Sequence, residues 1–443
     1  MNLLDTLRAH VRGEVVAPAD GAFRDVSKIF NRAAQHTPLA VVRCRDTADV
    51  VTVLRVAGDA GVPISVRSGG HSPSGRSVGE GAVVIDLRAI DSFSLDERTH
   101  VATVGGGIGT TALTQQVWAR DRFVSTGFEP RVGFSGALLG GGYGLGVRRF
   151  GLACDSLVAA EVVLADGRVV VADAERESDL FWALRGAGAH FGVVTRLEVK
   201  THPMPPLVFA TARFGLENAE HVLTRYAELL PSLGRDTMAY LTLGPDRFTG
   251  PSLGLLGFHF GDEAAAKKAL RPMQNLARPL LTNLDQVAVA DVHVASTFID
   301  SGFPEDHHNE WATAFFDDAR GACDALAHFA ASSSNITSAV WCLNEHLGGA
   351  MGDLAPDATA FALRSAQVGL VTTLKWHTPA ERPDALLALQ RKSLAAVISR
   401  SIGRYPNYVA DGNYDSAYGA NLPRLRALKT KFDPAGRFGR AFL

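Results

Sequence analysis

Glycine is concentrated in three stretches of this chain, and their placement limits the possible folds more than any other feature. The stretches are RSGGHS at 67–72, GFEPRVGFSGALLGGGYGLGVRRFGLACD at 127–155, and RGAGAHFGVVT at 185–195. Each adjoins a β-rich run: VPISVRS leads into the first, LVAAEVVLADGRVVVA follows the second, and valines close the third. Glycine is needed where backbone N–H groups must approach a phosphate closely or where φ is positive, so three such loops imply a large ligand wrapped by backbone. A dinucleotide meets that demand. Neither the strand-to-helix GxGxxG of nicotinamide folds nor the GxxxxGK[ST] of triphosphate loops occurs in the setting it requires, which removes those two nucleotide classes.

From Leu39 onward, apolar runs alternate with amphipathic ones. LAVVRC reads as a strand, TADVVTVLRVAGDAG as a helix ending at Gly61, and VPISVRS as a second strand, giving a β-α-β rhythm. AVVIDL and HVATVGGG continue it as strands, TTALTQQVWARD as a helix, and Asp166-Gly167 supplies a hairpin turn within LVAAEVVLADGRVVVA. The string HPMPP, His202 to Pro206, is expected to stop regular structure and mark a domain boundary. Beyond it, LVFATARF, AYLTLG and VGLVTTLKW alternate with helices such as EAAAKKALRPMQNLA, which predicts an α+β layer with an antiparallel sheet. A last helix, LPRLRALKTKF, ends at Asp433-Pro434. Single cores stop growing at roughly 250–300 residues. The 443 residues of this chain therefore predict two domains, or one interrupted by another.

Composition narrows the partners. Hydrophobic residues at 47% and charged residues at 20% describe an ordinary globular chain able to bury a large core. A formal net charge of -2 offers no basic surface, so neither nucleic acid nor an anionic membrane is expected. Cys44, Cys154, Cys323 and Cys342 have no CxxC spacing and read as buried thiols. The N-terminal MNLLDTLRAHVRGEV is no basic-then-apolar leader and no stretch is long and apolar enough to span a bilayer, from which a cytoplasmic location is expected. His307, His308 and Glu310 lack metal-ligand spacing and are expected in a polar loop, with no metal.

Taken in order, RSGGHSPSG with GAVVIDL, VGFSGALLGGGYGLGVRRFGLACDSLVAAEVVLADGRVV, and DLFWALRGAGAHFGVVTRLEV resemble the berberine-bridge-enzyme-like branch of the vanillyl-alcohol-oxidase superfamily. The tail, YPNYVAD with YGANLPRLRALKTKFDPAGRF, is similar to that family's YxNYxD and closing DPxxxF patterns, so the likeness spans nearly the whole chain. The N-terminal half is nearest in motif to bacterial enzymes of the 6-hydroxy-D-nicotine oxidase type. The resemblance implies an α+β fold: a two-part FAD-binding domain, 1–205 and a returning segment 401–443, with an inserted α+β substrate domain at 206–400 that carries the antiparallel sheet.

The same resemblance assigns residues. The histidine of GGH, His71, is expected to bond covalently to FAD. The backbone of Arg67, Ser68, Gly69 and Gly70 is expected to cradle the pyrophosphate, with Ser72 also binding the cofactor. Gly133, Gly136, Gly140, Gly141, Gly142 and Gly144 are expected along the ribityl and adenosine portions, Val193 near the adenine, and Gly127 among the cofactor-binding residues. Many members carry a second link from the cysteine of GxCPxVG. Here the string is GFEPRVG, so Glu129 replaces it, a single bond is expected, and the carboxylate either contacts substrate or points to solvent. Val132 matches the valine of oxygen-reactive members, which implies oxygen as acceptor and hydrogen peroxide as product.

In the YxNY motif Tyr408 is the candidate base, with Tyr405 and Asn407 orienting it or touching the flavin; the competing reading is a tyrosine pair serving the core. A phenol with a pKa of about 10 needs help to act near neutral pH. If SAVWCLNEHLGG is a strand, Trp341, Leu343 and Glu345 share a face; the resemblance implies that this strand lies over the flavin's reacting face, which makes Glu345, and similarly Lys375, candidate substrate contacts. The implied reaction is hydride transfer from a small alcohol, amine, sugar or biosynthetic intermediate to the flavin, in a monomer or homodimer. The alternative is an oxidative or non-redox cyclase of secondary metabolism on the same scaffold.

Overall fold

The computed structural model describes residues 2–127, 129–246, 248–283, 307–331, 340–439 and 442. Helix Thr47–Asp59 shows how local chemistry sets the first layer. Asp46 caps it by accepting from the Asp49 N–H at 2.9 Å, and Val50, Val53, Leu54 and Ala57 recur at helical spacing on one fully buried face. The helix joins Ala40–Arg43 to Ile64–Arg67, and both strands pair in parallel with Val83–Asp86; Glu14–Val16 adds an antiparallel edge. A second, five-stranded antiparallel sheet runs in the order Phe93–Asp96, Val101–Gly105, Val193–Lys200, Leu157–Val163, Val169–Asp173. Its last hairpin turns through Asp166-Gly167, with Gly167 at φ +85°.

Expectation and structure part at His202. Rather than stopping regular structure, His202–Pro203 pairs with Arg122–Phe123 as a two-stranded ribbon. The prolines are tolerated because a ribbon this short is edge on both sides.

The third sheet is antiparallel throughout, with seven strands ordered Leu281–Asn283, Leu207–Gly215, Ser252–Phe260, Thr237–Gly244, Val340–His346, Val368–Trp376 and His308–Phe316. His308 and Glu310 thus lie on a strand, not in a polar loop, because the alternation beyond them, ending in buried Ala314, Phe315 and Phe316, extends the pairing back to His308. Both faces of this sheet are covered. Ala239, Leu241 and Leu243 pack under helices Ala219–Leu229, Glu263–Gln274 and Ala319–Ala330, whereas Met238 and Tyr240 on the same strand face the core shared with the first half of the chain. The period of two along one strand therefore divides two cores. All four cysteines are buried. Among the described residues, no helix is long and apolar enough to cross a membrane.

Candidate active site

Strand Ile64–Arg67 runs into Ser68-Gly69-Gly70-His71, and that loop meets the second glycine stretch backbone to backbone. A Cβ on Gly69 would lie 2.2 Å from the Gly133 nitrogen, and one on Gly133 would lie 2.3 Å from the Gly69 nitrogen. Only paired glycines permit this crossing. The Arg67 side chain turns away and is consumed in donating to the Val26 and Lys28 carbonyls at 2.5 and 2.6 Å, which anchors the strand end.

The crossing opens onto a cavity of about 430 Å³. Ser68, Gly69, Gly70, His71, Ser72, Gly127, Glu129, Val132, Gly133, Gly136, Gly142, Gly144, Glu345, Tyr405, Asn407 and Tyr408 all line it, although they come from four distant parts of the chain. Gly140 and Gly141 do not. A Cβ on the first would fall 2.2 Å from Asn407 Oδ1, and one on the second 2.7 Å from the Phe361 ring, so both serve loop packing. Val193 points into the core with Val42 and Val83, and its neighbour Val194 faces the cavity instead. Lys375 is half-buried on its strand outside the lining, and Trp341 packs into the core.

His71 is held from two sides. The Phe30 ring stacks on it at 4.1 Å between centroids, and Glu129 Oε1 lies 3.8 Å from its Nε2. Glu129 does not point freely to solvent: its side chain is 16% exposed and is clamped by Arg131, whose Nε donates at 2.6 Å to Oε1 and whose Nη2 donates at 3.1 Å to Oε2.

Opposite stands an aromatic group. The Tyr405 hydroxyl accepts from the Gly142 N–H at 3.0 Å and from Asn407 Nδ2 at 3.1 Å, and its ring lies edge-on to Tyr143 and Tyr408 at 4.6 and 5.0 Å. Trp311 packs 5.1 Å from Tyr408. Into this group the strand Val340–His346 projects Glu345, on the face it shares with Trp341 and Leu343. Burial pushes the Glu345 carboxyl up from 4.5 to about 8, an effect the Tyr143 hydroxyl partly offsets. Glu345 Oε2 and the Tyr143 hydroxyl nevertheless make no well-formed hydrogen bond among the described residues. Burial and the adjoining Glu345 also raise the Tyr408 phenol, so the help that a phenolic base requires is not supplied to it here. A carboxyl titrating near pH 8 is far better matched to proton abstraction.

Among the lining residues not singled out in the sequence are Arg76, Tyr143, His190 and Trp311. Tyr143 carried a signal, being an aromatic inside the glycine run GGGYG, and His190 was a histidine within GAHFG. Trp311 and Arg76 carried none; the Arg76 guanidinium is positioned by Tyr414, to whose hydroxyl it donates at 2.5 Å, across more than half the chain. Burial, with the Arg76 and Lys429 charges, holds the His190 imidazole well below its usual pKa, so it lines the cavity as a neutral ring. The cavity also holds buried hydroxyls, Ser77 Oγ and Ser135 Oγ, that have no protein partner among the described residues. A glycine cradle that a Cβ would fill, together with orphaned donors, fits a long polar ligand with a phosphate centre.

The chain is similar to known FAD-binding proteins. The FAD binding domain family matches residues 38–173. The (R)-6-hydroxynicotine oxidase of Paenarthrobacter nicotinovorans is 28% identical over 97% of this chain and 95% of its own length. The crystal structure of 6-hydroxy-D-nicotine oxidase from Arthrobacter nicotinovorans superposes with a TM-score of 0.87, at 26% identity and over 98% of each chain. BBE-like 1 of Physcomitrella patens shares the fold at a TM-score of 0.91 and 21% identity, over 100% of this chain and 99% of that one.

Proposed function

We propose that this chain is an FAD-dependent oxidase of the berberine-bridge-enzyme-like family whose FAD is attached covalently through His71, a reading supported by the FAD-binding-domain match over residues 38–173 and by the likeness to (R)-6-hydroxynicotine oxidase. The observation that carries the reading is that His71 and Glu345, 274 positions apart by their numbering, line one continuous cavity. Bound FAD supplies the two-electron acceptor, with dioxygen as the terminal one and hydrogen peroxide as product. Val132 on the cavity wall is consistent with oxygen access.

The protein's own contribution is positioning and proton transfer. Glu345 takes the proton from the substrate's amine or hydroxyl group. Tyr143 and Tyr408 border that carboxyl, and Trp311 and Leu343 line the same cavity. Tyr405 and Asn407 hold the glycine loop through Gly142. Among the described residues, the wall around Glu345 is aromatic, built from Tyr143, Tyr408 and Trp311. It suits an amine or alcohol on an apolar or aromatic frame better than an oligosaccharide, which would need a polar partner for each hydroxyl.

The test is a panel of such amines and alcohols, with oligosaccharides as controls, added anaerobically to the purified protein. Bleaching of the flavin absorbance, and hydrogen peroxide on admission of air, are expected for an amine or alcohol. Product formation at constant flavin absorbance would instead identify a non-redox cyclase, and a colourless protein that takes up no FAD would overturn the reading altogether.

A further inference from the structure

Resting on the reading above, one contact is left without a role: the Glu129 carboxylate beside His71. Its geometry is built rather than incidental. Arg131 grips both carboxylate oxygens and its own backbone N–H donates to Oε1 at 3.1 Å, so the oxygen nearest the imidazole is the most firmly held. The Phe30 stack restricts rotation of the imidazole plane from the other side. A carboxylate beside one ring nitrogen of a histidine selects the tautomer with the proton on that nitrogen and leaves the lone pair on the other.

We propose that Glu129, fixed by Arg131, is the positioning residue that prepares His71 for attachment to FAD. It favours the neutral imidazole with the proton on Nε2, so that Nδ1 is the nitrogen that bonds to the flavin methyl carbon, and it receives the Nε2 proton as that bond forms. Overall one imidazole N–H and one methyl C–H are lost for one N–C bond. The two electrons and two protons pass to dioxygen, giving one hydrogen peroxide for each link formed. Glu129 is thus the acceptor in a self-modification, distinct from the substrate chemistry at Glu345.

The experiment uses the full chain produced under riboflavin limitation and then mixed with FAD in air. Acid precipitation separates linked from merely bound flavin over time, at a series of pH values. Wild type is expected to link FAD, while E129Q binds FAD but links it about tenfold or more slowly near neutral pH. Because solvent bases replace the carboxylate as pH rises, the E129Q deficit narrows toward high pH, and E129D recovers part of the rate. A purely structural role would slow linkage equally at every pH, and that result, or E129Q linking at the wild-type rate, overturns the proposal. Should E129Q take up no FAD, R131Q decides: it keeps the carboxylate but releases it, and slowed linkage supports the role whereas an unchanged rate refutes it. Uptake of no FAD by wild type would be a failure of the cofactor reading, seen separately from these outcomes.

Discussion

In the proposed reaction Glu345 carries the proton transfer in one side chain, which ties activity to stability. The unfolded chain releases this proton near pH 4.5 and the folded protein holds it to about pH 8. Folding is therefore favoured by this group below pH 4.5, and that contribution is lost progressively as pH rises through the window up to 8, because the unfolded state ionises first. Activity has the opposite slope, since the base form accumulates as pH approaches 8. E345Q is expected to lower the turnover rate by about 100-fold or more, to abolish the rising limb of the pH–rate profile, and to unfold at a higher temperature than wild type at pH 8.5. Steady-state rates and thermal melts over pH 6–9 check all three. His71→Ala gives a second expectation at this scale: FAD still binds, but the fluorescent flavin band on a denaturing gel disappears.

At the scale of elements, the site depends on two loops that cross at Gly69 and Gly133 and on a strand whose alternation delivers Glu345. Gly69→Ala would force a methyl group against the Gly133 nitrogen, 2.2 Å from the ideal Cβ. Backbone on both sides prevents relief by a side-chain rotation, so the loops must separate. The expected outcome is FAD binding weakened by about tenfold or more, an energy of about 1.4 kcal/mol, with the far-ultraviolet circular dichroism unchanged. Flavin titration by fluorescence measures it. A one-residue slip of strand Val340–His346 would carry Glu345 to the helix-covered face, so its register with Val368–Trp376, Glu345 opposite Gly369, is part of the site.

Across the whole molecule, buried charges join segments that the sequence keeps apart. Arg364, 1% exposed, donates to both Asp155 oxygens at 2.7 and 2.8 Å and to Thr359 Oγ1, linking the end of the second glycine stretch to the loop before strand Val368–Trp376. Lys429 and Asp433, both fully buried, close the tail: Lys429 reaches the His190 carbonyl, and Asp433 accepts from the Arg437 and Phe438 N–H groups. Arg364→Met is expected to cost about 3–5 kcal/mol by stranding Asp155, and the Asp155→Asn, Arg364→Met pair to recover part of that. Urea unfolding of the three proteins reports the difference.

The strands and helices around the glycine stretches, the Asp166-Gly167 hairpin and the alternation that pairs Leu343 with Glu345 could be read from the sequence, because turn chemistry, capping and periodicity act between near neighbours. So could His71 and the glycine loops, since glycine is demanded wherever backbone must touch backbone or phosphate. The strand pairing at His202 and His308 could not, because it depends on partners about 80 and 70 residues away. Nor could Arg76 and Trp311, which reach the cavity only once their segments are packed against it. The contrast between the proton affinities of Tyr408 and Glu345 belongs to tertiary structure alone. Both residue types were visible, but desolvation by surrounding rings sets their proton affinities, and that enclosure exists only in the folded chain.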